Sequence, residues 1–292
     1  MDEFRDSVAR AKVFTKLNLQ DEYHLIQMRQ GDEHKTSFCT RYEQYEFQVM
    51  PFRLAHAPAT FQTMMNKILR ELLDHWVVVY LDDILIYSEN MDDHIKPVQK
   101  VLDRLEPHDL AISLKKSVFH RKEGKFLEYI VKATSVTMSD RKVQSVQNGA
   151  HPRSVKEVQI FMGFTNFYSW FIKDFSKVCK PLTQMLKGNP KDFHCGRQQE
   201  EAFEQLKERF TTAPILSHFY SGRRTVVETE ASDWALGCFL SQYQGRRLYP
   251  VAFHSRKWNS TERNYEEHDK ELLAIMEAFK EWKDTSGVNK NL

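Results

Sequence analysis

The hydrophobic pattern is most regular at Val77-Val78-Val79-Tyr80-Leu81 and Ile84-Leu85-Ile86-Tyr87, two apolar, largely β-branched runs separated by Asp82 and Asp83. Runs of this kind predict a strand, a tight turn and a second strand, with both acids at the hairpin tip. Upstream, Val13–Leu19 reads as a strand. Residues 35–40 and 45–49 read as a hairpin around a turn at 41–44. Residues 59–73 carry helical spacing through Phe61, Met64, Met65, Ile68 and Leu72. Downstream, Asp92 or Asp93 caps a helix whose expected stripe is Ile95, Val98, Leu102 and Leu105, and residues 126–131 read as one short strand. Strands and helices thus alternate around an antiparallel centre, which predicts an α+β layer.

From residue 139 the texture changes to short helices. Ser154 with Glu157 forms a capping box ahead of a run rich in aromatics, Phe161 to Phe175. Residues 176–186 and 198–210 read as further helices, the latter with Phe203, Leu206 and Phe210 on one face. Gly188-Asn189-Pro190 marks a turn or linker. Strands return at 225–230, 234–242 and 247–254. A closing helix over roughly 264–282 has Leu272, Ile275, Met276 and Phe279 as its expected buried stripe. There is no internal repeat.

An apolar fraction of 41% and a charged fraction of 28% over 292 residues describe a globular chain able to bury two modest cores. No apolar run approaches the roughly 20 residues that span a membrane. The charged amino end is unlike a secretory signal, so the expected setting is intracellular. Cys39, Cys179, Cys195 and Cys238 lack paired spacing, which points to free thiols rather than a disulfide framework or a zinc site. The net charge of +2 conceals an asymmetry. Residues 1–95 hold 10 Lys and Arg against 16 Asp and Glu, and residues 96–192 hold 18 against 9. A basic middle segment is the footprint expected of phosphate-backbone binding, although a mixed solvated surface would look the same.

Adjacent carboxylates repel, so folding alone gives an apolar hairpin no reason to present two at its turn. From the residues alone, Asp82 and Asp83 are either a divalent-metal pair or an ordinary solvated turn. Several collinear motifs bear on that choice. Phe14-Thr15-Lys16-Leu17-Asn18-Leu19, Tyr23-His24-Leu25-Ile26, Met50-Pro51-Phe52-Arg53-Leu54-Ala55-His56-Ala57-Pro58-Ala59-Thr60-Phe61-Gln62 and Tyr80-Leu81-Asp82-Asp83 resemble the polymerase of gypsy-type LTR retrotransposons. Phe161-Met162-Gly163-Phe164-Thr165-Asn166-Phe167-Tyr168, Glu230-Ala231-Ser232-Asp233 and His268-Asp269-Lys270-Glu271-Leu272-Leu273-Ala274 resemble the connection and RNase H segments of the same polyprotein. The likeness runs from about residue 2 to 283.

The resemblance implies a right-hand polymerase: a palm of antiparallel sheet plus helices over 1–132, a helical thumb over 133–190, a connection over 191–222 and a partial RNase H-like α/β domain over 223–292. It implies an RNA-directed DNA polymerase that uses Mg²⁺ or Mn²⁺, dNTPs and an RNA/DNA template-primer. A metal pair about 4 Å apart steadies the attacking and leaving oxygens of the in-line displacement. The implied metal ligands are Asp82, Asp83 and position 18 in the palm, and Glu230 and Glu271 in the RNase H unit. The implied substrate-binding positions are Tyr23 (a steric gate under the sugar), Phe52, Arg53, Gln62, Phe126 and Leu127.

Several positions depart from the family pattern. Position 18 is Asn where the family has Asp, which removes one negative charge where two dications must be held. Arg53 and Glu128 replace glycines in the nucleotide-lining and primer-gripping segments. Ser169-Trp170 stands where the family usually carries two arginines. Glu230 replaces Asp, one methylene longer. The resemblance also implies that fingers lie upstream of Met1 and that the third and fourth RNase H acids lie beyond Leu292. The expectation is therefore a truncated, decayed copy, with the alternative of a catalytically inactive nucleic-acid-binding module.

Overall fold

Val13–Asn18 forms β1, buried along its length except at Lys16. The computed structural model describes residues 8–20, 22–52, 54–187 and 193–283. The chain divides into two compact units, Met1–Ala133 and Thr134–Leu292. In the first unit, β1 is followed by two 3₁₀ turns and a small hairpin, β2 (Phe38–Cys39) with β3 (Gln44–Tyr45). This hairpin is shorter than its sequence suggests, because residues 33–36 coil into a 3₁₀ turn. Helix α1 spans Ala57–Ile68 with a proline in its first turn. There the missing N–H costs nothing.

Strands β4 (Val77–Tyr80) and β5 (Asp83–Ser88) form the expected hairpin and join a four-stranded antiparallel sheet of order β4-β5-β1-β6, with β6 at Val118–Arg121. Helix α2 (Met91–Leu105) connects β5 towards β6. Phe61, Met65 and Leu69 from α1 and its C-terminal turn, and Val98, Val101 and Leu105 from α2, close over Leu17, Val77, Val79, Ile84 and Ile86 in one core. Burial of each such side chain contributes roughly 2 kcal/mol.

Two predicted details shift. The cap of α2 is Asn90, and Asp92 and Asp93 occupy the first turn, where negative charge favours the helix dipole. The buried stripe of α2 is His94, Pro97, Val98, Val101 and Leu105, while Ile95 is 63% exposed. Residues 126–131 are not one strand but the bend of a hairpin, β7 (Glu123–Phe126) with β8 (Tyr129–Lys132). Leu127 and Glu128 form its two-residue loop at φ +49° and +65°. A two-residue hairpin loop with both residues left-handed is the turn that selects glycine or asparagine.

His94 is fully buried. Its Nε2 lies 2.8 Å from Thr15 Oγ1 and its Nδ1 lies 2.7 Å from Ser88 Oγ, and Ser88 Oγ also donates to the Asn90 carbonyl. The Ser88 proton is thus committed to Asn90, so the ring donates from Nδ1 and accepts at Nε2 from Thr15. Burial, aided by nearby His120, pushes the His94 pKa down to about 4.

In the second unit, β9 (Ser135–Met138) pairs antiparallel with β10 (Leu216–Ser217). Between them lie α3 (Asp140–Gln147), α4 (Val155–Phe167), α5 (Phe175–Val178), α6 (Lys180–Met185) and α7 (Arg197–Thr211). The residues expected to form a turn at 188–190 lie outside the described residues. Ser154 caps α4 by accepting the Glu157 N–H, and the Glu157 carboxylate accepts from the Arg153 N–H, one residue before the reciprocal partner of a standard box. Phe203, Leu206 and Phe210 of α7 are buried as their spacing predicts.

A three-stranded antiparallel meander follows: β11 (Thr225–Ala231), β12 (Ala235–Gln244) and β13 (Arg247–Lys257). Helix α8 (Glu267–Glu281) covers one face of it. The expected stripe on α8 is wrong in phase. Ala274 and Ala278 are buried, with Ala274 O within 3.5 Å of the Cys238 thiol, while Leu272, Ile275, Met276 and Phe279 are 42–61% exposed. Two alanines one turn apart let the helix backbone approach the sheet more closely than a leucine ridge permits.

Candidate active site and family

Asn18 and Asp83 are register partners at the ends of β1 and β5, which brings residue 18 to the Leu81–Asp82 loop of the hairpin. The Asn18 Nδ2 donates to Asp82 Oδ2 at 3.2 Å and to Asp83 Oδ1 at 3.3 Å. Asp83 Oδ2 also accepts from Lys16 Nζ at 2.7 Å, and the two side chains are only 22% and 21% exposed. Lys16 lies two residues before Asn18, so strand pleating sends both to the same side. The Asn18 backbone is gripped from a distant segment: its carbonyl accepts the Ser113 N–H at 2.8 Å and its N–H donates to Ser117 Oγ at 3.2 Å. Asn18 is 9% exposed, and its Oδ1 is buried without a hydrogen-bond partner.

This donor set sets the chemistry. Two carboxylates share the NH₂ of one amide and the ammonium of Lys16, so the charge that a metal would neutralise is already partly compensated. The amide offers its nitrogen, which ligates no cation, and turns its oxygen away. A pair of dications does not fit the residues as arranged.

Gln62 supports the hairpin tip. Leu81 sits at φ +52°, a strained conformation for a γ-branched residue, and its N–H donates to Gln62 Oε1 at 2.7 Å. Gln62 Nε2 donates to the Val79 carbonyl and to Asn66. Both ends of this amide are therefore engaged by the chain itself. Phe52 is 56% exposed beside His24, with ring centroids 5.0 Å apart. Phe126 is buried in the core at 1% exposure, and Leu127 occupies the half-buried turn. Arg53 and the Tyr23 side chain lie outside the described residues.

In the second unit, Glu230 and Gly237 are register partners, as are Thr229 and Cys238. Cys238 faces α8, so Thr229 and Ala231 share that face and Glu230 points to the opposite one. There it meets Asp174, a residue the sequence reading passed over, held at φ +55° ahead of α5. Burial, reinforced by the Glu230 charge, raises the Asp174 pKa. A Cβ on Gly237 would stand 2.9 Å from Asp174 Oδ1. Glu271 is exposed on α8, one turn before the buried Ala274. Among the described residues no three His, Cys, Asp or Glu side chains converge into a metal-holding group.

Residues 2–131 match the family model for reverse transcriptase (RNA-dependent DNA polymerase), and residues 196–288 match the model for the RNase H-like domain found in reverse transcriptase. The transposon Tf2-3 and Tf2-7 polyproteins of Schizosaccharomyces pombe are each 35% identical over 284 residues, 97% of this chain and 21% of the relative. The chain belongs to the reverse transcriptase family of gypsy-type retrotransposon polyproteins.

This reverse transcriptase segment spans about a fifth of the length of those relatives. Its fold is also that of the foamy viral protease-reverse transcriptase. The structure of that protein in complex with RNA/DNA hybrid gives a TM-score of 0.78 at 23% identity over 98% of this chain and 38% of the other. The structure in complex with dsDNA gives 0.76 at 24% identity over 94% and 58%. Within this reverse transcriptase fold, Lys16 was detectable by its strand period. Ser113 and Ser117 were not, since they arrive from a remote loop.

Proposed function

We propose that this chain is the polymerase and RNase H-like segment of a retrotransposon polyprotein that holds a nucleic-acid template-primer, with polymerisation silenced at its palm. The reading is carried by one observation: the Asn18 NH₂ donates to both Asp82 and Asp83, where family chemistry calls for a third carboxylate. We assign residues 1–132 to the palm, 133–190 to the thumb, 191–222 to the connection and 223–292 to the RNase H-like domain. Asp82 and Asp83 stand at the family's metal-holding positions, but with Asn18 and Lys16 engaging them they do not hold the pair of Mg²⁺ or Mn²⁺ ions that the chemistry needs, and Gln62 is a positioning residue that fixes their turn. Phe52 and Arg53 belong beside the incoming dNTP, and Tyr23 belongs under its sugar. Loss of one carboxylate costs several kcal/mol of charge stabilisation, and each ~1.4 kcal/mol is tenfold in rate. Glu230 facing Asp174 supports a silent RNase H centre as well.

The test combines binding and extension. Anisotropy with a labelled RNA–DNA duplex is expected to show affinity that falls steeply with salt. Primer extension on poly-A with oligo-dT is expected to match the Asp82→Ala background. Incorporation by the wild-type chain that Asp82→Ala abolishes would overturn the silenced palm. Absence of duplex binding would overturn the nucleic-acid reading itself.

A further inference from the structure

Among the described residues of the second unit, a group of cations gathers around Lys257, the last residue of β13. Its Nζ donates to Thr183 Oγ1 on α6 at 2.6 Å, and Thr183 in turn donates to the Cys179 carbonyl at 2.6 Å. The ammonium is thus aimed by a hydroxyl rather than held by an acid. Apart from the Cys179 thiol, which acts in the opposite sense, the titratable side chains that act on it are cationic: Lys187, Arg263 and Lys180. Burial and these like charges lower the pKa of Lys257. Lys180 rests over the Trp234 ring, with its Nζ 3.1 Å from the centroid.

The nearest acid in sequence is already engaged. Glu262 makes a two-pronged contact with Arg256, which also bonds Glu277, so it is committed to a partner outside the group. Four cations drawn from α6, the turn after it, β13 and the 3₁₀ turn 262–264 repel one another. A half-buried ammonium at their centre adds a desolvation cost. The Thr183 hydroxyl and the Trp234 ring offset part of this repulsion, and a polyanion would offset the rest. Cations spread over several elements match a run of phosphates better than a single phosphate.

We propose that Lys180, Lys187, Lys257 and Arg263 form a binding site for the phosphodiester backbone of a nucleic-acid duplex. This assignment rests on the reading that the chain binds nucleic acid, and it locates one contact surface for it. Lys257 is the fixed point of the site, aimed by Thr183, and the exposed Lys187 and Arg263 reach outwards from it.

The experiment is anisotropy of the full chain with a short labelled RNA–DNA duplex across a salt series. The double variant Lys187→Glu/Arg263→Glu changes two exposed residues and leaves the core intact. It is expected to lose tenfold or more in affinity at moderate salt, and its log–log salt slope is expected to fall by about two. Lys257→Met is expected to weaken binding in the same sense at unchanged melting temperature. Arg197→Ala, a 91% exposed cation on α7, is expected to bind as wild type. Duplex binding by the wild type with equal affinity and slope in the double variant would sink this site alone. A wild-type chain that binds no duplex at any salt would sink both the site and the functional reading on which it rests.

Discussion

The amide nitrogen of Asn18 stands 3.2 Å from Asp82 Oδ2 and 3.3 Å from Asp83 Oδ1, so one neutral side chain donates to both acids of the hairpin tip. The contact explains how an apolar hairpin accommodates two adjacent carboxylates at its tip. Asn18→Asp removes both donations and adds a third acid. In metal-free buffer the variant is expected to lose about 1–3 kcal/mol of stability. Added Mg²⁺ is expected to return most of it, because a three-acid site gains more from a dication than a two-acid site does. Thermal melts of wild type and variant with and without Mg²⁺ check this; an equal Mg²⁺ response in both would refute it.

Glu128 holds φ +65° in the two-residue loop between β7 and β8, and its carboxylate pairs with Lys125 at 3.4 Å. Exposed pairs of this kind contribute little. The left-handed backbone costs a non-glycine residue about 1 kcal/mol. Glu128→Gly is therefore expected to stabilise the chain by several tenths of a kcal/mol to about 1, read as a higher urea midpoint at unchanged slope. A lower midpoint would show that the carboxylate matters more than the backbone.

His94 gives the first unit a definite pH response. Its folded pKa of about 4 lies below the usual 6.5, so the unfolded chain binds the proton more readily. Stability from this group is complete above pH 6.5 and is lost as pH falls from 6.5 towards 4. The loss is on the order of 2 kcal/mol. Chemical denaturation at pH 7 and pH 4.5 should show the advantage of wild type over His94→Gln shrinking at the lower pH. A constant gap would contradict the assignment.

The packed face of α8 is its alanine pair. Leu272→Gln and Met276→Gln are expected to move the melting temperature by no more than surface changes do, within about 0.5 kcal/mol. Ala274→Leu is expected to cost about 1–3 kcal/mol by overpacking against Cys238. The reverse ranking would show that the leucine stripe is the buried one.

These cases show what a linear reading can resolve. The β4–β5 hairpin was legible because two β-branched runs bracket a polar pair, and the place of residue 18 beside it followed from the motif order. The phase of α8 was not legible. Alanine is apolar but small, so a periodicity count gives weight to Leu272 and Phe279 although close approach to a sheet favours Ala274 and Ala278. Gln62 shows a different limit. Its role depends on a strained φ at Leu81, which no local pattern reveals. Asp174 opposite Glu230 is a tertiary pairing between a helix start and a strand, and neither segment announces the other.

Gly237 has a consequence for how this lineage can change. A Cβ at position 237 would stand 2.9 Å from Asp174 Oδ1, so a substitution there obliges the Asp174 carboxylate to turn aside, a small movement for the end of a flexible side chain. A relative with a side chain at 237 is therefore expected to carry at 174 either a smaller residue or a carboxylate turned away from β12.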